Sequence, residues 1–168
     1  MIDPKQLLNY IIRPVLHDLS LWSQPAERLV LGTACQESQC GRYLHQLGDG
    51  PALGIYQIEP ATHDDIWKNY LDYLLPANGL PALMRSWAIK RRVMGGEPYP
   101  DAEEMIGNLY YATAMCRIQY YRVPSALPTY LAAQAAYWKK NFNTELGAGT
   151  VEEYMNNWNR FVTPDVML

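Results

Sequence analysis

Glu37 is the side chain whose sequence surroundings best suit proton transfer. It lies near the end of a predicted helix that Ser23 caps, with Pro25 and Glu27 in the first turn. Steps of four, three and four residues put it on the same inward face as three small or apolar residues, Ala26, Val30 and Thr33. We therefore expect the Glu37 carboxyl to be half-buried.

The expected surroundings of Glu37 favour its protonated form. Burial disfavours a carboxylate, and the last turn of a helix adds the negative end of the helix dipole, so both effects raise the pKa. The neighbouring helical positions, Thr33, Ala34, Cys40 and Gly41, include no Lys or Arg that would lower it again. An acid that keeps its proton near neutral pH can donate it to a leaving oxygen. The alternative is a glutamate at the frayed end of a surface helix, where most glutamates lie.

A second segment favours a functional site over a surface glutamate. After a glycine-rich loop, residues 54–62 read Gly-Ile-Tyr-Gln-Ile-Glu-Pro-Ala-Thr, a compact Gly-x-x-Gln segment of the kind that can line a groove. Together with Glu37-Ser38, this segment resembles the Glu-Ser and Gly-Leu-Met-Gln-x-x-Pro-x-Thr motifs of the soluble lytic transglycosylase family. Ala135-Ala136-Tyr137 is similar to a third motif of that family, Ala-Tyr-Asn, with Trp138 standing where asparagine is usual.

The resemblance implies a role for each matched residue. It makes Glu37 the single catalytic acid and base, with Ser38 beside it. Gln57 and the backbone from Gly54 to Tyr56 would line the glycan groove. Tyr137 would orient the glutamate through its hydroxyl group.

The resemblance also implies a reaction, which is cleavage of the β-1,4 bond between N-acetylmuramic acid and N-acetylglucosamine in peptidoglycan. Ordinary glycosidases use two carboxylates, about 5 Å apart when retaining and roughly 6.5–9.5 Å apart when inverting. Members of this family use one, because the sugar's own 6-hydroxyl attacks the anomeric carbon with assistance from its N-acetyl group. The single acid first gives a proton and then takes one.

Two alternatives stay open at the level of sequence. A hydrolase similar to goose-type lysozyme would need a positioned water, and Asp49 in the Gly48-Asp49-Gly50 loop is the acid to test for that role. Glu59, Asp64 and Asp65 are further acids near the motif, the last two being typical of a helix N-terminus. The other alternative is a non-catalytic virion component or wall-binding protein that keeps the fold.

Composition limits the architecture and the partners. A chain of 168 residues, 49% of them hydrophobic, suits one domain over residues 1–168. A net charge of −3 and a pI near 5.6 argue against nucleic-acid binding, and the one basic cluster, Lys90-Arg91-Arg92, is expected at a helix end. The three cysteines show no metal-site spacing, so we expect no metal and no cofactor.

The N-terminal sequence Met1-Ile2-Asp3-Pro4 is unlike the basic start of a signal peptide, and no apolar run is long enough to span a membrane. An enzyme that acts on the wall without its own export signal fits delivery by a phage particle or a lysis system. We therefore expect a virion or host-cytoplasmic location before delivery to the cell wall, with glycan strands and other virion or tail proteins as partners.

The expected fold is mainly α, a lysozyme-like single domain with a short extended segment or small β-hairpin after the acid-bearing helix. Residues 54–58 are the expected extended segment. The other predicted helices span about 3–17, 61–75, 81–94 and 101–123, followed by one that Pro128 opens and one with a capping box at Thr150 and Glu153. Gly95 and Gly96 mark the clearest break in the chain.

Overall fold

The computed structural model describes residues 1–74, 79–94, 97–143 and 147–167, and over these the chain is mainly helical. The α-helices are α1 (Pro4–Leu7), α2 (Arg13–Asp18), α3 (Gln24–Ser38), α4 (Pro60–Asn69), α5 (Leu80–Trp87), α6 (Glu104–Gly107), α7 (Leu109–Tyr121), α8 (Leu131–Trp138) and α9 (Val151–Phe161). The π-helical segments are Leu8–Ile12 and Lys139–Asn143, and the 3-10 turns are Leu71–Tyr73 and Pro164–Met167. The strands β1 (Arg91–Met94) and β2 (Glu97–Pro100) form one antiparallel hairpin.

Two predicted helix starts are confirmed by their caps. The Ser23 side chain accepts a hydrogen bond from the Ala26 N–H at 3.2 Å and begins α3. Thr150 and Glu153 form the predicted capping box at α9, with each side chain bonded to the other residue's backbone N–H. Helix α3 ends at Ser38, three residues before the predicted Gly41, because Gln39 adopts a left-handed conformation with φ of 51°.

Helix α3 lies at the centre of the core and packs closely against α9. A Cβ atom on Gly32 of α3 would lie 2.0 Å from the Tyr154 hydroxyl oxygen of α9, so only glycine fits this contact. Trp138 at the end of α8 packs against Tyr154 with the two rings tilted and their centroids 5.3 Å apart, and it is fully buried. The three helices therefore meet beside the last turns of α3, where Glu37 lies.

The segment after α3 is extended only at isolated points. Leu53 forms single antiparallel bridges with His45 on one side and Ile58 on the other. Between these bridges the chain turns tightly at Gly54, which has φ of 74°, and at Gln57, which has φ of 48°. This small bridged loop replaces the continuous extended segment predicted over 54–58.

The hairpin lies later in the chain than the prediction placed it. The helix predicted over 81–94 is wrong beyond Trp87, because Ile89 and Lys90 donate their backbone N–H groups to the buried Glu104 carboxylate at 2.9 and 2.6 Å. The chain then continues as β1, which pairs Arg92 with Tyr99 of β2. The basic cluster thus runs into a strand instead of ending a helix. The predicted break at Gly95 and Gly96 lies outside the described residues.

The helix predicted over 101–123 is two helices. Asn108 lies between α6 and α7 in an extended conformation, and its side chain accepts a hydrogen bond from the Tyr111 N–H at 3.0 Å. That bond caps α7, and the Asn108 amide group also donates to the Trp87 carbonyl at 2.8 Å. None of the helices in the described part of the chain is long and apolar enough to cross a membrane.

Gly54→Ala is expected to destabilise the protein far more than Gly48→Ala. Both glycines have a positive φ, 74° and 76°, so both variants carry the same backbone strain. A Cβ on Gly54 would also lie 2.2 Å from the Met105 carbonyl oxygen, whereas nothing lies within 4 Å at Gly48. The free energy of unfolding in urea should therefore fall by about 2 kcal/mol more for Gly54→Ala. Equal losses would contradict this close approach.

Candidate functional site

Glu37 opens onto a cleft of about 520 Å³ beside the end of α3. Its side chain is half-buried, as the helical pattern predicts. The described residues that line the cleft are Gln36, Glu37, Tyr43, Gln46, Leu47, Ala52, Gln57, Ile58, Glu59, Thr62, Gln119, Phe142, Asn143, Gly147, Ala148 and Gly149. The lining thus comes from α3, the bridged loop, α4, α7 and the segment after α8.

Two effects act on the Glu37 carboxyl in opposite directions. Burial raises its pKa, and a hydrogen bond from the Trp138 indole nitrogen to Oε1, at 2.8 Å, lowers it; together they raise the pKa from an ordinary value of 4.5 to about 7. No Lys or Arg among the described residues pairs with it. The raised pKa predicted from the sequence is confirmed, and burial is the dominant cause.

Gln57 lines the same cleft as Glu37. The positive φ of Gln57 turns the bridged loop, and its side-chain amide donates to the Gly54 carbonyl at 2.8 Å. Gly54 itself is buried, and its backbone N–H donates to the Leu44 carbonyl at 2.8 Å. The loop therefore holds Gln57 at the cleft, while Gly54 serves the turn.

Ser38 lies beneath the cleft and not in its lining. It is fully buried, and its hydroxyl donates to the Ile55 carbonyl at 2.6 Å while accepting from the Gly41 N–H at 2.8 Å. These two bonds tie the end of α3 to the bridged loop. The residue expected beside the acid as a substrate contact thus has its hydroxyl committed to the backbone.

Tyr56 and Tyr137 also lie elsewhere than the resemblance implied. Tyr56 is only 1% exposed and its hydroxyl is hydrogen-bonded to the Thr113 hydroxyl at 2.9 Å, inside the core. Tyr137 is buried as well, and its hydroxyl pairs with Ser125 at 3.4 Å. The hydrogen bond to the Glu37 carboxyl comes from Trp138, the residue after Tyr137. The indole therefore takes the place in which the tyrosine hydroxyl was expected.

Trp138 is the site residue that the sequence motif did not identify. It interrupts the Ala-Tyr-Asn pattern, yet it follows Tyr137 directly and carries an N–H group that can donate to a carboxylate. Tyr154 packs against its ring in a tilted contact, and a Cβ on Gly149 would lie 2.7 Å from its Cη2 atom. The signal in the sequence was limited to the residue type, because a buried indole N–H needs a hydrogen-bond partner.

Glu59 is the other carboxylate among the described lining residues. Asp49, the acid expected to position a water, is exposed in its loop and is not part of the lining. Asp64 pairs with His63 and Arg92, and Asp65 pairs with Arg122. No group of three or more His, Cys, Asp or Glu side chains in the described ranges could hold a metal ion.

No family model, curated protein or solved structure matches the chain.

Glu37→Gln should stabilise the protein at alkaline pH. The folded pKa of about 7 lies above the ordinary 4.5, so the stability that the protonated carboxyl contributes is present below pH 4.5 and lost as the pH rises through 7. Relative to the glutamine variant, wild type should lose at most roughly 3 kcal/mol over that range. Urea unfolding of both proteins at pH 4 and pH 8 measures this difference. If the free energy of unfolding changes equally for both proteins between pH 4 and pH 8, the raised pKa of the buried Glu37 carboxyl is contradicted.

Trp138→Phe should raise the pKa of Glu37 above its wild-type value. The phenyl ring keeps most of the packing but cannot donate the hydrogen bond that favours the ionised form. Carbon-13 NMR of the labelled glutamate side chains against pH measures the shift. Trp158→Phe is the matched control, since Trp158 is buried on α9 and is not part of the cleft lining. An unchanged or lower pKa in Trp138→Phe would contradict the role assigned to the indole.

Proposed function

We propose that the protein is a lytic transglycosylase that cleaves the β-1,4 bond between N-acetylmuramic acid and N-acetylglucosamine, with Glu37 as general acid and base. The observation that carries the proposal is the half-buried Glu37 carboxyl, whose pKa is raised to about 7 at a cleft with polar walls. A general acid works best with a pKa near the working pH. The motif resemblance supplies the substrate class.

In the proposed reaction, Glu37 protonates the glycosidic oxygen as the bond to the anomeric carbon breaks. The 6-hydroxyl of the same sugar then attacks that carbon with help from the N-acetyl group, and the Glu37 carboxylate takes its proton. The hydrogen bond from Trp138 supports the ionised intermediate state, because an N–H donor stabilises a carboxylate. The residue returns to its protonated form after each turnover.

The lining favours an uncharged polymer backbone as the ligand. Its described side chains include four glutamines, an asparagine, a threonine and a tyrosine, but no Lys or Arg. Amide and hydroxyl groups bind sugar hydroxyls and acetamido groups without requiring charge. By the same proposal, the partners are peptidoglycan glycan strands, and a phage particle or lysis system brings the enzyme to them.

Hydrolysis of goose-lysozyme type is the second candidate, and the presence of Glu59 at the cleft favours it. In that reaction Glu59, instead of the exposed Asp49, would activate a water molecule. Glu59→Gln should then abolish cleavage, whereas the transglycosylase route needs no second carboxylate.

Glu37→Gln should fold normally and lose at least about 100-fold in activity, the scale of a missing general acid. Release of dye from labelled, purified peptidoglycan measures this. Asp49→Asn is the matched acid-to-amide control, because Asp49 is exposed and outside the lining.

Wild-type kcat/KM should also fall as the pH rises through about 7, where the Glu37 proton is lost. An active Glu37→Gln variant would remove the assignment of the acid, and wild type that binds walls without releasing dye would support a non-catalytic protein.

A further inference from the structure

Four glutamines line the cleft, and three of them use their amides within the protein. Gln36 accepts a hydrogen bond from the Asn157 amide at 2.8 Å. Gln46 accepts from the Ala52 N–H at 3.1 Å, and Gln57 donates to the Gly54 carbonyl at 2.8 Å. These bonds hold the walls in place.

Gln119, the fourth, differs from the others. Its side chain is only 6% exposed, and its amide oxygen is buried without a hydrogen-bond donor among the described residues. A buried carbonyl oxygen without a partner costs free energy, so a ligand that donates a hydrogen bond to it recovers that cost. Gln119 also lines the cleft that contains Glu37, so a bound ligand can reach its side chain, and a turn of the amide group would bring the buried oxygen to that ligand.

Contacts of residues that follow Gln119 hold it in place. The hydroxyl of the next residue, Tyr120, is hydrogen-bonded to the Thr33 hydroxyl of α3, with the oxygens 2.7 Å apart. Arg122, three residues after Gln119, pairs with Asp65 of α4. Gln119 therefore belongs to a rigid floor between α3 and α4, which suits a group that must meet a ligand in a defined place.

We propose that Gln119 is a substrate-contacting residue whose amide oxygen accepts a hydrogen bond from an N–H or O–H group of the glycan bound beside Glu37. This inference rests on the proposed function. Both acetamido N–H groups and ring hydroxyls are donors of the required kind. Among the described residues and the ligand, only the ligand would then donate to this oxygen. A ligand without a donor at this point would leave the oxygen unpaired and bind more weakly, so Gln119 favours ligands that carry the donor.

The test uses Gln119→Met, which keeps the side-chain length and removes the amide. Because no described group donates to the amide oxygen, an apolar replacement should leave the melting temperature unchanged or raise it. Affinity for chitohexaose, a β-1,4-linked oligomer of N-acetylglucosamine, should fall roughly five- to twentyfold when measured by calorimetry in the Glu37→Gln background. Unchanged affinity would overturn the proposal.

Gln134→Met is the matched control. Gln134 is also buried with an unpartnered amide oxygen, but its amide nitrogen donates to the Pro25 and Pro128 carbonyls at 3.1 and 3.0 Å, and it lies outside the lining. Its replacement should lower the melting temperature and leave affinity within about twofold, the reverse of Gln119→Met. If Gln119→Met instead lowers the melting temperature as much as Gln134→Met does, Gln119 serves the scaffold and the proposal fails.

Cellohexaose separates the two donor sources, since it has a hydroxyl in place of each acetamido group. Weaker binding of chitohexaose alone identifies the acetamido N–H, and equal weakening of both ligands identifies a ring hydroxyl; either result supports the proposal.

Dye release by the single variant Gln119→Met separates the role of Gln119 from the proposed transglycosylase function. If wild type cleaves peptidoglycan and Gln119→Met matches its kcat and KM, the inference fails while the proposed function stands. If wild type cleaves nothing and the Glu37→Gln protein binds no chitohexaose, both fail.

Discussion

The hydrogen bond from the Trp138 indole to Glu37 joins the ends of α8 and α3, and the candidate site is arranged around it. The Trp138 indole donates to the carboxyl at 2.8 Å, and Tyr154 of α9 packs against the same indole ring. Tyr154 in turn occupies the space that the missing side chain of Gly32 leaves on α3. The acid, its donor and the packing between three helices are thus one unit, and a change in any member alters the carboxyl's surroundings.

The balance of two effects at Glu37 gives the site its chemical character. Burial alone would hold the proton tightly, and a strong ion pair would remove it; the single neutral donor leaves the pKa at about 7. A carboxyl in that range can both give and take a proton at neutral pH, which a one-acid mechanism requires. The described lining residues include no Lys or Arg, and no described residue donates to the buried oxygen of Gln119, which is consistent with the proposed uncharged sugar chain as ligand.

Local patterns predicted the parts of the fold that local interactions decide. The Ser23 cap, the Thr150 capping box and the inward phase of Glu37 are all set by residues within a few positions of one another. The position of the hairpin was not predicted, because a distant carboxylate, Glu104, binds the backbone where a helix was expected to continue. Long-range partners of this kind leave no local pattern.

The site was predicted in part for the same reason. Glu37 and Gln57 line one cleft, but the motif positions Ser38, Tyr56 and Tyr137 support the backbone or the core instead. Trp138 could not be assigned from its departure from a motif, since its role depends on which helix faces it across the core. Gln119 carried no signal in the sequence, because its distinguishing feature is that no described residue donates to its buried oxygen, which only the packed structure reveals.

Mass spectrometry of the material that wild-type protein releases from purified peptidoglycan is the decisive measurement of transglycosylase activity. A lytic transglycosylase should release soluble glycan fragments that end in an anhydro-sugar and are lighter by one water than hydrolysed muropeptides. Full-mass reducing ends would instead identify a hydrolase and move attention to Glu59. The absence of any soluble fragment across the pH range in which Glu37 is protonated would contradict glycan cleavage by this site.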